Sequence, residues 1–258
     1  MTSKPAAPNL VKSAARALEV VELLAKSGPM TFQEVLDALG LPRSSAHGLL
    51  GTLEATGWLE FSARDKTYSL GLKAWEVGQR YDGHRVLSDV APPIMKALTK
   101  VTGETVQLAI LDGAENVYVE ISPSPNPMRL ASSVGMRLPA HATGIGKALL
   151  ATLDDAEVRE RLSGVEMTPY TSHTLTTIDS IITEVNGGRS AGYFIEDEEY
   201  IEGSCCVAMT VATPRELGLS VAMSITMPSI RAKEDWPGSM VAPLRESCAQ
   251  LRGTLGLD

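Results

Sequence analysis

The sequence predicts an α+β chain in two parts. A small helical head closes on a hairpin, and a larger body carries a mostly antiparallel sheet. Three observations carry that expectation. Apolar residues over the first 57 positions recur at helical spacing in three blocks punctuated by glycine, and two short alternating runs follow. Beyond them, apolar runs come in pairs joined by turn residues, with helical stretches between, which is how hairpin-linked strands read. Charge divides the chain the same way. Seven basic and seven acidic residues cancel through position 72, so the remainder holds the whole net charge of −8. A neutral head on an acidic body points to parts with different partners.

The head begins with "VKSAARALEVVELLAKSG", where Val11, Ala14, Leu18, Val21, Leu24 and Ala25 fall on one helical stripe before Gly28 and Pro29 stop it. "TFQEVLDALG" follows, with Thr31 and Glu34 spaced as a capping box and Gly40 placed as a left-handed cap. "LPRSSAHGLLGTLEATG" starts a third helix, with Pro42 in its first turn, Ala46, Leu49, Leu50 and Leu53 facing inward, and Gly57 closing it. "WLEF" and "TYSL" read as strands around the turn "SARDK". Cap, tight turn, helix and hairpin in this order predict a winged helix-turn-helix over 11–72, after a flexible arm at 1–10. In that motif the first turn of the third helix meets base edges, and the wing reaches phosphates or the minor groove. Arg43, Ser44, Ser45 and His47 stand where base and groove contacts form, and Arg64 and Lys66 stand at the wing tip.

A linker helix over 73–86 leads into the body at 87–258. Trp75, Val77 and Tyr81 are large apolar groups on a stretch too short to bury them alone, which predicts a dimer contact there. A helix from about Asp89 to Val101 tolerates Pro92 and Pro93 because they lie near its start. "ETVQLAIL" and "NVYVEIS" form a hairpin across Asp112–Gly113, and "SPSPNP" is a loop. "SCCVAMTVAT" and "LGLSVAMSIT" form a second pair around a polar turn at 214–216, and a closing helix runs from about Trp236 to Leu255.

"HATGIGKALLA", residues 141–151, resembles a phosphate cradle but fails both nucleotide motifs. The phosphate loop needs glycine where His141 stands and Ser or Thr where Ala148 stands, and the dinucleotide fingerprint needs glycine at Leu149. What survives is a helix start near Gly144, whose free N–H groups and dipole suit an anion. Ser224 and Thr226, two apart on a strand, put both hydroxyls on one face. Adjacent Cys205 and Cys206 point to opposite faces, and with Cys248 they make neither a disulfide framework nor a metal-ligand spacing, which fits a reducing cytoplasm. Neither an apolar signal core nor a membrane-length apolar run is visible, and nothing calls for a cofactor or metal.

"EVLDALGLPRSSAHGLLGTLEATGWLE", "GETVQLAILDGAENVYVE", "GMRLPAHATGIGKALLA" and "EDEEYIEGSCCVA", in this order over nearly the whole chain, resemble the IclR family of bacterial transcriptional regulators. The resemblance implies a C-terminal α/β effector-binding domain, double-stranded operator DNA and a small-molecule effector as partners, and a homodimer or tetramer. It also implies a repressor of a neighbouring catabolic operon, released by a carboxylate or aromatic acid derivative. By positional match, Gly144 and Ile145 would hold effector oxygens through backbone N–H groups. Glu196, Cys206, Ser224 and Thr226 would line the opposite side, and Lys147 would be a solvated or salt-bridged helix residue.

Two positions depart from the family pattern. Gly48 stands where arginine is common, which removes an anchor and costs the helix about 1 kcal/mol relative to alanine. Glu196 replaces a frequent aspartate. A carboxylate at Gly144 facing Glu196 across a cavity ~6–8 Å wide would meet a repulsion of roughly 2–3 kcal/mol. That repulsion predicts either a protonated Glu196 or, preferably, an effector bringing a hydrogen-bond donor to it. The rival reading is a hydrolase using Cys206, His141 and Glu196. No strand-turn nucleophile elbow supports it, and a DNA-binding head would be redundant on such an enzyme.

Overall fold

The computed structural model describes residues 10–80 and 85–257, which fall into two compact units divided after residue 83. In the first, α1 (Lys12–Ser27), α2 (Phe32–Leu39) and α3 (Arg43–Ala55) surround a core of Val20, Leu24, Val35, Leu36, Leu41, Ala46, Leu50, Leu53 and Leu59. Thr31 and Glu34 form the expected capping box, and Gly40 closes α2 at φ 59°, ψ 37°. The stripe expected on α1 is rotated. Val11, Ala14, Leu18 and Ala25 are exposed, whereas Val21 and Leu24 pack inward as expected and are joined by Ala17 and Val20. Both stripes satisfy the helical period, and the surfaces of α2 and α3 decide between them. Pro42 is the N-cap of α3 rather than part of its first turn.

The wing strands β2 (Leu59–Ser62) and β3 (Thr67–Leu70) pair antiparallel, and a two-residue strand unseen in the sequence, β1 (Met30–Thr31), adds to β3. Gly71 lets the returning wing lie on the end of α3. A Cβ there would press on the backbone of Gly57 and come within 3.1 Å of the Leu59 carbonyl carbon. α4 (Leu72–Gly78) follows, and Tyr81 lies outside the described residues.

The second unit is built on one six-stranded sheet in the order β6-β5-β4-β9-β8-β7, with every neighbouring pair antiparallel. The strands are β4 (Thr105–Asp112), β5 (Glu115–Ser122), β6 (Arg137–Pro139), β7 (Phe194–Asp197), β8 (Ser204–Ala212) and β9 (Val221–Pro228). Alternation sorts their side chains. Val106, Leu108, Val207, Met209, Met223 and Ile225 face α5 (Arg85–Thr102) and the C-terminal helix. Ala109, Tyr118, Cys206, Ala208 and Ala222 face α6 (Gly144–Leu150). Helices α7 (Asp155–Leu162) and α8 (Ile178–Ala191) make a satellite core beside α6.

The helix entering this unit starts earlier than its prolines suggest. α5 begins at Arg85 and carries Pro92 and Pro93 in its interior. Leu87, Ala91, Ile94, Met95 and Leu98 are buried along one face, and that burial outweighs the backbone bonds the prolines forfeit. The polar turn at 214–216 is a short helix, α9 (Pro214–Leu217), under a capping box of Thr213 and Glu216. The closing helix is α10 (Gly238–Leu255).

Candidate nucleic-acid interface and effector site

On α3, Ala46, Leu50 and Leu53 are buried while Arg43, Ser44, Ser45 and His47 are all exposed, so the residues proposed for DNA share the solvent side of one helix. Phe32, at the start of α2, organises two of them. The Arg43 guanidinium lies 5.5 Å from the centre of its ring, and the His47 ring lies 4.4 Å away. Phe32 was not singled out in the sequence, because it reads there only as a core residue. Gly48 is on the same open side, and a Cβ there would touch nothing within 4 Å. At the wing, Arg64 is almost fully exposed, 3.9 Å from Asp65, and Lys66 adopts φ 55°.

In the second unit, the expected effector residues converge on the sheet face beneath α6. Thr143 caps the helix. Its Oγ1 accepts from Gly146 N at 3.2 Å and donates to Asn116 Oδ1 at 2.8 Å. Lys147 N bonds the Thr143 carbonyl, so Gly144 and Ile145 supply the remaining donors of the first turn. Ser224 and Thr226 each donate to Gln107 Oε1 at 3.0 Å. Gln107 is buried opposite Ser224 in the β4–β9 register, and the sequence reading overlooked it. Its signal was present: Thr105 and Gln107 alternate as polar residues through an apolar run.

Gly144 and the Glu196 backbone are in contact rather than separated by the expected ~6–8 Å. A Cβ on Gly144 would stand 3.1 Å from Cys206 Sγ and 3.3 Å from both Glu196 Cβ and N, so the start of α6 lies directly on β7 and β8. Glycine is required because backbone and strand are in contact, which separation across a ligand would not demand. The Glu196 carboxylate turns toward the next bend, where Oε1 accepts from Glu199 N at 2.8 Å and Tyr200 N at 3.2 Å. Burial lifts its pKa to about 7, against the lowering effect of those two bonds. Lys147 is fully buried, with Nζ 2.7 Å from Glu199 Oε1 and 3.7 Å from Glu184 Oε1. It is salt-bridged, as expected, but not solvated.

The proposed hydrolytic trio is poorly equipped for nucleophilic chemistry. Glu196 and Cys206 are register partners, but burial pushes the Cys206 thiol up to about 12, and it sits in the hydroxyl environment of Thr226 and Ser224. His141 is buried with Nε2 unpartnered, its pKa lowered by burial, and its ring neighbour is Tyr170. A thiol so far from ionisation, with no base bonded to it, is not an activated nucleophile. Among the described residues no cluster of three or more His, Cys, Asp or Glu could hold a metal, and no helix is long and apolar enough to cross a membrane.

Comparison with known proteins agrees with this geometry. Residues 13–63 match the IclR helix-turn-helix domain, and residues 79–252 match the bacterial transcriptional regulator IclR C-terminal domain. The transcriptional regulator XynR of Escherichia coli K12 is 33% identical over 203 residues, covering 78% of this chain and 81% of that protein. The transcriptional repressor AllR of the same strain is 30% identical over 257 residues, covering 99% and 94%. Among solved structures, an IclR homologue from Microbacterium hydrocarbonoxydans complexed with 4-hydroxybenzoate superposes with a TM-score of 0.80 at 26% identity, covering 95% of this chain and 100% of that one. With both domain matches in sequence order and an antiparallel sheet capped by α6, the chain belongs to the IclR family of bacterial transcriptional regulators.

Proposed function

We propose that this regulator is a cytoplasmic repressor. Arg43, Ser44, Ser45 and His47 read its operator, Arg64 and Lys66 of the wing hold the backbone, and a small organic acid releases it. The observation that carries the effector half is a polar set, buried except for half-buried Thr226, in an apolar face. Gln107, Ser224, Thr226, Cys206 and Glu196 lie under α6, where apolar side chains would pack at lower cost. Polar groups kept at that cost suit a polar ligand that reaches them together with the N–H groups of Gly144 and Ile145. The relative complexed with 4-hydroxybenzoate supports an aromatic hydroxy acid as the first compound to try, and the relative named a repressor supports the sign of regulation.

The DNA half requires a dimer, because one recognition helix covers too few base pairs alone. Leu72, Trp75 and Val77 on α4 are exposed large apolar groups and supply its contact. A mobility-shift titration of the full chain on its own upstream DNA, with and without 4-hydroxybenzoate, benzoate and 4-hydroxybenzamide, tests the whole reading. Release by one of the acids is expected. Unchanged occupancy with every compound that calorimetry shows to bind would overturn the repressor assignment, and enzymatic turnover of any of them would revive the hydrolase.

A further inference from the structure

Among the described residues, Arg16 Nη1 has no hydrogen-bond partner. The residue lies in the second turn of α1, half-buried, and this nitrogen is sealed from solvent. A guanidinium nitrogen taken out of water costs free energy unless an acceptor meets it, and a small turn of the side chain toward an anion in the adjoining cleft would recover that cost. The side chain borders a cleft of about 320 Å³, lined also by Lys12 and Ser13 of α1, Pro42, and Ser45 and Leu49 of α3. Two cations and two hydroxyls border this space, and no carboxylate does. The adjoining start of α3 has no side-chain cap and no acid in its first turn, so its positive end is uncompensated.

The position of the cleft on α3 identifies its occupant. At 3.6 residues per turn, Ser44 and Gly48 share the middle of the exposed face, while Ser45 and Leu49 fall on the flank toward α1 and His47 on the opposite flank, against Phe32. A helix lying in the major groove has base edges before its middle and the sugar-phosphate backbone along its flank. Resting on the DNA-binding reading above, we propose that Lys12, Arg16 and Ser45 form a clamp for one backbone phosphate of the operator. Of the four α3 residues proposed above to read the operator, Ser45 is thereby reassigned to the backbone, leaving Arg43, Ser44 and His47 to base reading.

The experiment measures binding of the full chain by fluorescence anisotropy between about 50 and 200 mM salt, on a duplex selected by the protein from random sequence and on an unrelated duplex. Lys12→Ala and Arg16→Met are compared with wild type. If each removes a share of one phosphate contact, affinity falls by the same factor on both duplexes. The slope of log affinity against log salt becomes shallower by up to about 0.9 for Arg16→Met. Because Arg16 Nη1 is buried without an acceptor among the described residues, Arg16→Met should leave Tm unchanged or raise it. Unchanged slopes for both variants would overturn the clamp, as would a loss confined to the selected duplex, which marks base reading. A lowered Tm with an unchanged slope would make Arg16 a packing residue. Should Arg16→Met fold poorly, the exposed Lys12→Ala decides alone. Failure of wild type to bind any duplex would instead refute the regulator reading on which the clamp rests.

Discussion

Replacing Glu196 by glutamine should remove a pH dependence that burial imposes on the second unit. The Glu196 carboxyl is 4% exposed, and its pKa rises from 4.5 to about 7. Each unit is worth about 1.4 kcal/mol, so the ionised carboxylate costs the folded state about 3 kcal/mol. The sign follows from proton binding. The native state holds the proton more tightly than the unfolded chain, so the cost is absent below about pH 4.5, grows as pH rises, and is complete above about pH 7. Glu199 is also raised by burial and contributes in the same direction, while Lys147 opposes both. Glutamine keeps an oxygen for Glu199 N and Tyr200 N but carries no titrating proton. The variant should therefore match wild type near pH 4.5 and exceed it by up to about 3 kcal/mol at pH 8. Urea denaturation read by hydrogen-exchange mass spectrometry on β7 and β8 peptides isolates this unit from the head. A wild-type-to-variant difference that stays flat from acid to alkaline pH would refute the argument.

Three further substitutions probe separate links. Gly48→Ala meets open space in an exposed helix interior and should stabilise the head by about 1 kcal/mol in urea titrations of its unfolding transition; a loss of stability would place a hidden constraint there. Gly146→Ala drives a methyl into the Ala140 backbone and to 2.6 Å from Thr143 Oγ1, so the second unit should fail to fold to a single cooperative transition in calorimetry. Trp75→Glu puts a charge on the exposed apolar face of α4 and should dissociate dimers in sedimentation velocity, lowering operator affinity at least tenfold; an unchanged sedimentation coefficient would remove α4 from the interface.

What could be read from the sequence, and what could not, divides by how local the cause is. The Thr31–Glu34 box, the Gly40 cap and the hairpin at Gly113 are decided by residues within four positions of one another, and each stands as expected. The stripe of α1 is settled by distant surfaces, so periodicity alone allowed two answers. β7 has only four residues, two of them acidic, and is a strand because β8 offers an edge. α7 was overlooked although Asp154 and Glu157 spell a capping box as plainly as Thr31 and Glu34. At the proposed effector site the residues came from the family resemblance, and their facing side of the sheet agrees with alternation. Their spacing did not follow. Gly144 read as a donor beside a cavity, whereas its missing Cβ serves close contact with Cys206 and Glu196. A glycine's two uses, donating and approaching, leave the same letter in the sequence.

On the proposal that an effector reaches the N–H groups of Gly144 and Ile145, that contact also bears on which compounds bind. Around the start of α6 one buried ammonium, Lys147, already serves Glu199 at 2.7 Å and Glu184 at 3.7 Å. The bend carrying Glu199 is fastened on both sides. Glu196 Oε1 accepts from its backbone, while Thr171 and Thr174 donate to the carbonyls of Glu198 and Glu199 at 2.6 Å. The bend is therefore fixed, and the Glu199 carboxylate is held against Lys147. A plain acid at the N–H groups of Gly144 and Ile145 adds negative charge to a cluster whose buried ammonium, Lys147, is already paired, and it binds much more tightly when Glu196 holds its proton. Near-neutral Glu196 makes that competent state common at pH 6 and scarce at pH 8. Apparent affinity for benzoate should thus fall about tenfold across that interval, the ratio of protonated fractions for a group titrating near 7. A neutral ligand such as 4-hydroxybenzamide, which adds no charge and can donate to the glutamate, should lose much less. Calorimetry of both compounds at the two pH values, in buffers of different ionisation enthalpy, also counts the protons taken up. Equal affinities for benzoate at both pH values, with no proton uptake, would mean that the acid never meets the field of Glu196.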